Sequence, residues 1–448
     1  MLHCRKKYGC GCLFGKTTKR LFLVVLLLSW GGYMPVPAQH ISPEPVLPVL
    51  VEVFYKNRKD GYIWMGADTQ RAGLRMRLIQ LLNERCAFQG LDKSKYLKLL
   101  PRDAFGMAAG SSGEDSSRVN DYRYTHAALE YLNDLFQGDP ATRKTGDDAL
   151  SRTVKEADQH YLINLLAEVS KPKDLDDLVN RLEPATSQYL LLKNALKAQL
   201  DSGNVVRIRR LSETLNNYRW MYHFHFPKFI VVNIAAAELN YYEQDSLKLN
   251  MRVVAGKPST KTPRFAAYCD QVILYPYWNV PKSIAVNEIL PFCKKNTAVL
   301  DLLRMQVLNS RGQVVNPRSI NWSKITKQNF SYQFRQATGR DNALGVIKFN
   351  LTSPYSVYLH DTNLKAAFKS EKRYLSHGCV RVEKPVELAD YLLEEKLDAS
   401  FLNANSKGQK PVIKTVHGPV PVFILYMTAD IKEGSMVQYF EDVYTLDQ

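Results

Sequence analysis

The strongest chemical signal in this sequence is the run Ser376-His377-Gly378-Cys379-Val380-Arg381-Val382. A thiol attacks only as thiolate, and a neighbouring base or cation is what makes thiolate available near neutral pH. Glycine beside the cysteine leaves the backbone N–H groups of the loop open to a developing oxyanion. Taken alone, the run also fits an inert packed cysteine. A second histidine shifts the balance. His360, in Val357-Tyr358-Leu359-His360-Asp361-Thr362, lies nineteen residues before the cysteine at the end of a β-type run. A strand-end histidine brought beside a distant cysteine is the separated arrangement of Cys–His acyl-transfer chemistry.

The elements that must position this pair divide the chain in two. From about 68 to 217 the apolar residues recur at helical spacing, as in Tyr124, Ala128, Tyr131, Leu132, Leu135 and Phe136, and again in Tyr189, Leu192, Leu196 and Leu200. These stripes read as core. Ala108 to Ser117, rich in Gly and Ser, reads as a loop between helices. Near 226 the character changes to short β-type runs at Phe229–Ile234, Leu249–Val254, Gln271–Tyr275, Gly345–Phe349, Val357–His360 and Val420–Met427. Turn signals such as Gly256-Lys257-Pro258 and Thr262-Pro263 separate them, and Leu388–Leu397 reads as a helix among them. The expected fold class is α+β, with a helical N-terminal domain over 39–217 followed by a β-rich catalytic domain over 218–448, either a sandwich or a mixed domain.

The length of 448 residues sets a prior of two to three domains, and 45% hydrophobic with 23% charged residues excludes a disordered chain. Arg5, Lys6, Lys7, Lys16, Lys19 and Arg20 precede an apolar run from Leu21 to Trp30 and then Pro35-Val36-Pro37-Ala38. Val36 and Ala38 occupy the small-residue positions of an export cleavage site. Residues 1–38 therefore read as a signal peptide or, with residues 21–38 retained, as a membrane anchor. The chain is expected to be exported to the periplasm or cell envelope, where nucleic acid is not a partner. Six of the cations lie before Gln39, which leaves +10 of the whole-chain +16 from there onward. That charge fits contact with an anionic wall or membrane, and fits a solvated surface slightly better.

Cys4, Cys10 and Cys12 precede the apolar run, and Cys86, Cys269, Cys293 and Cys379 follow it. Pairing of Cys269 with Cys293 is open in an oxidising compartment. No C-x-x-C and no H-E-x-x-H occurs, and His223-x-His225 alone is a weak metal signal, so neither metal nor cofactor is expected.

At the level of whole motifs, the chain resembles the YkuD-type L,D-transpeptidases of bacterial cell-wall synthesis, in their large envelope branch with a scaffold domain. Ser376 to Arg381 meets the family's S-H-G-C-[IV]-R motif, and His360 its upstream histidine. Further matching stretches are Asn342-Ala343-Leu344-Gly345-x-x-Lys348-Phe349, Pro354-Tyr355-x-Val357 to Thr362, Tyr218-Arg219-Trp220, Val232-Asn233-Ile234, Gly256-Lys257-Pro258-x-x-x-Thr262-Pro263 and Pro276-x-Trp278-x-Val280-Pro281-x-Ser283-Ile284. The resemblance runs in order over roughly 205 to 448. It implies a capping subdomain at about 285–340, with Gly312 and Gly339 as points of bending. The peptidoglycan-binding module many relatives carry before the catalytic domain has no counterpart between 200 and 225.

The resemblance also implies roles. Cys379 is the nucleophile, and His360 is the base, held by the chain around Asp361. His377 and Gly378 shape the nucleophile loop, with backbone N–H groups near Gly378 and Cys379 as the oxyanion hole. Arg381 orients the loop or meets a substrate carboxylate, Tyr358 and Ser376 line the cleft, and Asp361 is a further candidate for substrate binding. The implied reaction is acyl transfer on peptidoglycan stems. Cys379 takes the acyl group of a tetrapeptide stem as a thioester, D-Ala leaves, and an amine of a second stem resolves it into a 3→3 cross-link. Water as acceptor makes the same fold an L,D-carboxypeptidase or a hydrolase that detaches wall-linked proteins. Carbapenems are implied covalent inhibitors. A wall-binding protein without catalysis is disfavoured by the joint presence of Cys379, His360 and His377. A papain-like protease is disfavoured because its cysteine precedes its histidine.

Overall fold

A computed structural model of the chain describes residues 47–58, 61–105, 114–143, 150, 155–404, 408–432 and 436–447. The expected signal or anchor over 1–38 lies outside them, as do Cys4, Cys10 and Cys12. The longer helices are α1 (Leu47–Asn57), α2 (Thr69–Phe88), α3 (Glu114–Gln137), α4 (Lys155–Ala167), α5 (Pro172–Leu182), α6 (Ser187–Ser202), α7 (Val205–Tyr222) and α8 (Pro385–Leu393). Their ends follow local chemistry. Asp68, Thr186 and Asn204 accept backbone N–H groups as N-caps of α2, α6 and α7, and Pro172 opens α5. Gly203, at φ +70°, ends α6 in the left-handed region one residue before the Asn204 cap. Glu114 to Ser117, expected in a loop, form the first turn of α3. The rest of that expected loop, before 114, lies outside the described residues. No described helix is long and apolar enough to cross a membrane.

The strands are β1 (Lys228–Asn233), β2 (Glu238–Glu243), β3 (Ser246–Gly256), β4 (Phe265–Leu274), β5 (Trp278–Asn279), β6 (Met305–Leu308), β7 (Val314–Val315), β8 (Gln333–Gln336), β9 (Ile347–Leu351), β10 (Leu359–His360), β11 (Tyr374–Ser376), β12 (Val380–Val382), β13 (Val412–Leu425), β14 (Ala429–Lys432) and β15 (Met436–Tyr439). Nine of them form one sheet in the order β11-β3-β12-β10-β9-β4-β13-β1-β2. A further pairing joins β2, at one end, to β3, the strand next to the other end. The sheet thus closes on itself, where two facing sheets were one of the expected forms. The reason lies in β3: Leu249 to Arg252 pair with β2, while Val253 and Val254 pair with β12. Helix α8 packs into the main core with Leu388, Ala389 and Leu392. It starts three residues earlier than expected because Pro385 sets its first turn, and it ends at Glu394 with φ +55°.

Alternation along β1 and β13 explains how helices and sheet share a core. Ile230, Val232, Val422 and Ile424 point into the closed sheet. Phe229, Val231, Phe423 and Leu425 point outward against Tyr189, Leu192, Leu211, Leu215 and Trp220 of α6 and α7. The seam also carries polar ties. Thr214 donates to the Ala429 carbonyl (2.6 Å), the Tyr218 hydroxyl donates to Asp430 (2.8 Å), and Asn233 donates to the same carboxylate (3.1 Å).

Between β4 and β9 the chain leaves the main sheet and folds separately. Strands β5, β8, β6 and β7 form a four-stranded sheet around a core that includes Ile289, Cys293, Leu300, Val307, Trp322, Phe330 and Phe334. This module corresponds to the expected cap but begins at β5 rather than near 285, because Trp278 pairs with Gln336 and closes it. Asn342, buried at its neck, donates to the carbonyls of Pro276 (3.1 Å) and Ala337 (2.9 Å), the residues flanking the module on each side. Gly312, expected as a bending point, sits at φ +73° in the turn between β6 and β7 and serves that turn. Cys269 and Cys293 do not pair. Each is a buried free thiol, one in the main core and one in the core of this module.

Candidate active site

Three neighbouring strands assemble the site. β10 pairs in parallel with β12, Leu359 opposite Val380 and His360 opposite Arg381, and antiparallel with β9, His360 opposite Lys348. Residues paired across strands share a face, and neighbours along a strand alternate. Phe349, Leu359 and Val380 therefore point into the core. Lys348, His360 and Arg381 form a row on the opposite face, with Cys379 and Tyr358 as the next row. The register alone brings two residues nineteen apart in sequence onto one surface.

His360 is buried, at 5% exposure, and its Nδ1 bonds the main-chain carbonyl of Asp361. A carbonyl can only accept, so Nδ1 carries the proton and Nε2 keeps the free lone pair. Burial pushes its pKa down to about 3; the Arg381 and Lys348 charges act the same way, and the Asp361 carbonyl opposes them. The imidazole is neutral at physiological pH.

Cys379 is half-buried, the one described cysteine that is not fully buried. Its sulphur lies 3.7 Å from the Ser356 carbonyl, to which the thiol donates. Burial raises its pKa above the ordinary value, against the lowering influence of hydrogen bonds from Tyr358 and of the Lys348 and Arg381 charges. The resting pair is thus a neutral thiol and a neutral imidazole. Tyr358 lies edge-on to His360, with centroids 5.6 Å apart, and its ring carries the Lys348 ammonium 4.3 Å away.

The loop that presents Cys379 is held on every side. Ser376 Oγ donates to the Cys379 carbonyl (2.6 Å) and accepts the Gly378 N–H (3.1 Å). Two expectations change as a result. Ser376 is a buried brace and does not line the cleft, and the Gly378 N–H is engaged within the loop. The Cys379 N–H meets no acceptor among the described residues, which leaves it as the candidate oxyanion donor. Gly378 has φ +119°, a conformation that favours glycine. Asp361 is likewise internal. Its carboxylate accepts the N–H groups of Val346 (2.9 Å) and Thr362 (2.7 Å) and binds the Lys365 ammonium. It pins the turn before β9 to the end of β10, and so fixes the carbonyl that orients His360. Gly345, at φ +59°, makes room for this; a Cβ there would lie 2.1 Å from the Asp361 carboxylate.

Below the loop runs the stretch from Gly256 to Pro263, which sequence reasoning read as turn punctuation. Thr262 Oγ1 accepts the Gly256 N–H (2.9 Å) and donates to the Gly378 carbonyl (2.8 Å). Thr260 Oγ1 donates to the Ser376 carbonyl (3.0 Å). From the far end of the chain, the Tyr444 hydroxyl donates to the Gly256 carbonyl (2.6 Å) and accepts the Thr262 N–H (3.1 Å). Thr260 and Tyr444, and the bracing contact of Thr262, were missed because nothing in one sequence ties position 262 or 444 to 378. His377 faces outward, and its Nε2 meets the Glu288 carboxylate of the cap module at 2.6 Å. Glu288 lies in a π-helical turn, Ala285–Ile289, which periodicity does not reveal.

Outside this site, a cavity of about 730 Å³ opens beside Tyr161, Thr186, Tyr222 and Phe226. None of the groups around Cys379 line it, and the strand register, not cavity size, locates the chemistry. His223, of the weak metal signal, bonds the Trp220 carbonyl through Nδ1 and is pushed down to about 3 by burial. Among the described residues no group of three or more His, Cys, Asp or Glu side chains has the geometry to hold a metal.

Comparison with known proteins finds two family matches along the chain. The profile of the L,D-transpeptidase catalytic domain, YkuD, matches residues 227–422, and that of the Scaffold domain matches residues 49–196. A Haemophilus influenzae protein named "Putative L,D-transpeptidase" is 37% identical over 227 residues, which cover 50% of this chain and 45% of that protein. The chain thus spans about half the length of this curated relative. Among solved structures, the catalytic domain of an Enterococcus faecium L,D-transpeptidase acylated by ertapenem is 12% identical, with 44% of this chain and 97% of that one covered and a TM-score of 0.24. Mycobacterium tuberculosis L,D-transpeptidase 3 with a faropenem-derived adduct is 13% identical, with 44% and 60% covered and a TM-score of 0.21.

Proposed function

We propose that this chain, which belongs to the YkuD L,D-transpeptidase family, is a cysteine acyltransferase that cross-links peptidoglycan stem peptides in the cell envelope. One observation carries the reading. Cys379 and His360 share a face of adjacent parallel strands, and the Asp361 carbonyl fixes the tautomer that leaves Nε2 free as a base. In the first step the thiol proton passes to His360 as sulphur attacks the carbonyl before the terminal D-Ala of a tetrapeptide stem. The oxyanion develops beside the Cys379 N–H, within the field of Lys348 and Arg381. The C–N bond breaks, the imidazolium returns its proton to the departing amine, and a thioester remains. An amine of a second stem then attacks the thioester and releases the thiol, which gives a 3→3 cross-link. The leader over 1–38 would deliver the catalytic domain to the envelope, either cleaved or as an anchor.

The test is a muropeptide profile after incubation of the protein with tetrapeptide muropeptides, wild type beside Cys379→Ala. Dimers with 3→3 links from the wild type alone are expected. Tripeptides without dimers would make water the acceptor and the protein a carboxypeptidase. A carbapenem carbonyl is an acyl donor to the same thiol, so intact-mass analysis should find one adduct on the wild type and none on Cys379→Ala.

A further inference from the structure

The cavity of about 730 Å³ away from Cys379 has the walls and the unanswered polar groups of a ligand site. Its volume falls within the range of small-molecule sites, roughly 300–1,000 Å³. It opens where the stretch from Arg181 to Gln188 and the end of α7 meet β1 and the turn between β2 and β3. Phe136, Tyr161, Tyr222 and Phe226 give it aromatic walls, and Tyr161 stands at the lip, 42% exposed. The charged side chains that line it balance, Arg181 and Arg219 against Glu183 and Asp245. Two of these are already engaged within the protein, Arg219 with Asn216 and the Gln89 carbonyl, Glu183 with Tyr189 and Lys193.

Beside the aromatic wall two acceptors face each other. His223 lines the cavity; its Nδ1 donates to the Trp220 carbonyl, and burial keeps the ring neutral, so Nε2 is an acceptor. The Asp158 carboxylate lies 3.7 Å from that nitrogen, beyond hydrogen-bond distance. Asp158 stands one turn before Tyr161 on α4, so the two share a helix face. Burial raises its pKa to about 6, which leaves it ionised at neutral pH, and it meets no hydrogen-bond donor among the described residues. A partly buried carboxylate without a donor is costly, and a lone pair turned towards it adds repulsion. A ligand that brings O–H or N–H donors answers both groups. An anion brings none, and the Arg143 charge acts against a cation at His223. A sugar ring brings hydroxyls at its edge and C–H groups on its faces, which suit the faces of aromatic rings.

The location says what such a site is for. Phe229 of β1 forms part of the cavity. From β1 to β10 is four strands by either route round the closed sheet, through β13, β4 and β9 or through β2, β3 and β12. A ligand held there lies across the closed sheet from His360 and leaves the chemistry unobstructed. We propose that this cavity binds an uncharged sugar ring of the cell-wall glycan. Resting on the acyl-transfer reading above, it holds the protein on the polymer whose stems reach Cys379, and so raises their effective concentration.

The probe is the N-acetylglucosamine trimer, a neutral sugar without stems, and its binding to the full chain is measured by saturation-transfer NMR and calorimetry. Saturable binding is expected. Asp158→Asn and Tyr161→Ala should each weaken it by about tenfold or more, while Cys379→Ala should bind as tightly as the wild type. Tyr161 is exposed, so its variant should keep the fold, and thermal unfolding of each variant separates loss of recognition from loss of structure. No binding, or binding that neither Asp158→Asn nor Tyr161→Ala weakens, would overturn the site. Tighter binding of cadaverine than of the trimer would assign the cavity to a cation and overturn the sugar. An excess of trimer should slow cross-linking in intact sacculi and spare that of stem peptides without sugars; no slowing would remove the tether. If the trimer binds but tetrapeptide muropeptides release no D-Ala, the sugar site stands and the acyl-transfer reading fails.

Discussion

Thr262→Val is the sharpest probe of how the nucleophile is held. Valine matches threonine in shape, so the change removes one oxygen without opening a cavity. That oxygen accepts the Gly256 N–H and donates to the Gly378 carbonyl, and Thr262 itself is 2% exposed. Each buried group left unpaired costs about 1–3 kcal/mol, which sums to about 2–6 kcal/mol before relaxation. Part of this loss falls on global stability, and urea denaturation should show a fall of at least about 2 kcal/mol. The rest falls on the loop from Ser376 to Cys379, where each 1.4 kcal/mol makes local opening about tenfold more frequent. Native-state alkylation of Cys379, located by peptide mass spectrometry, should therefore accelerate. Turnover should drop by about a hundredfold as the Cys379 N–H loses its aim. Unchanged stability together with an unchanged alkylation rate would refute this account of the loop.

Further outcomes follow from the same geometry. Because burial raises the Cys379 pKa, alkylation should climb with pH through a midpoint above the ordinary thiol value of about 8.5; a rate constant down to about pH 4 would instead indicate a preformed ion pair. His360 is driven to about 3 from 6.5, so between those values the unfolded chain binds more protons and stability falls as pH falls. His360→Gln should remove that share of the acid slope, measured by denaturation at several pH values between 7 and 4, and an identical slope would count against a neutral buried imidazole. The Glu288–His377 contact is partly exposed, so Glu288→Ala should change global stability by less than about 1 kcal/mol. It should nonetheless raise hydrogen exchange in the cap and increase KM for the donor more than it lowers kcat; no change in either would separate the cap from the nucleophile loop.

What was legible in the sequence was local chemistry and local periodicity. The run from Ser376 to Val382 and the strand-end His360 announced themselves by residue type, and the apolar run Phe229 to Ile234 announced a strand. Partners distant in sequence were not legible. The Gly256-to-Pro263 stretch, read as a turn, is the seat of the nucleophile loop, and Tyr444 locks it from near the C-terminus. Asp361 and Ser376 were credited with substrate contact because polar residues beside a catalytic pair invite that reading. Their buried hydrogen bonds show them bracing backbone instead. The closed sheet was hidden for a similar reason: pairing of β3 with both β2 and β12 is a matter of register, which alternation constrains only within one strand.

The electrostatics of the site make sense as a device for the transition state rather than the resting state. Burial of Cys379 and His360 favours the uncharged form of each, so the thiol does not sit ionised and exposed to adventitious oxidation. Lys348 and Arg381 are half-buried and meet no anion among the described residues, so on the proposed acyl-transfer reading little reorganisation is needed as negative charge develops on sulphur and then on the carbonyl oxygen. A carboxylate side chain beside them would have neutralised the resting site and cancelled that advantage. Asp361, one residue past His360, instead turns its carboxylate onto the backbone of Val346 and Thr362. On the proposed acyl-transfer reading, the field of the two cations acts on the negative charge that develops during the reaction.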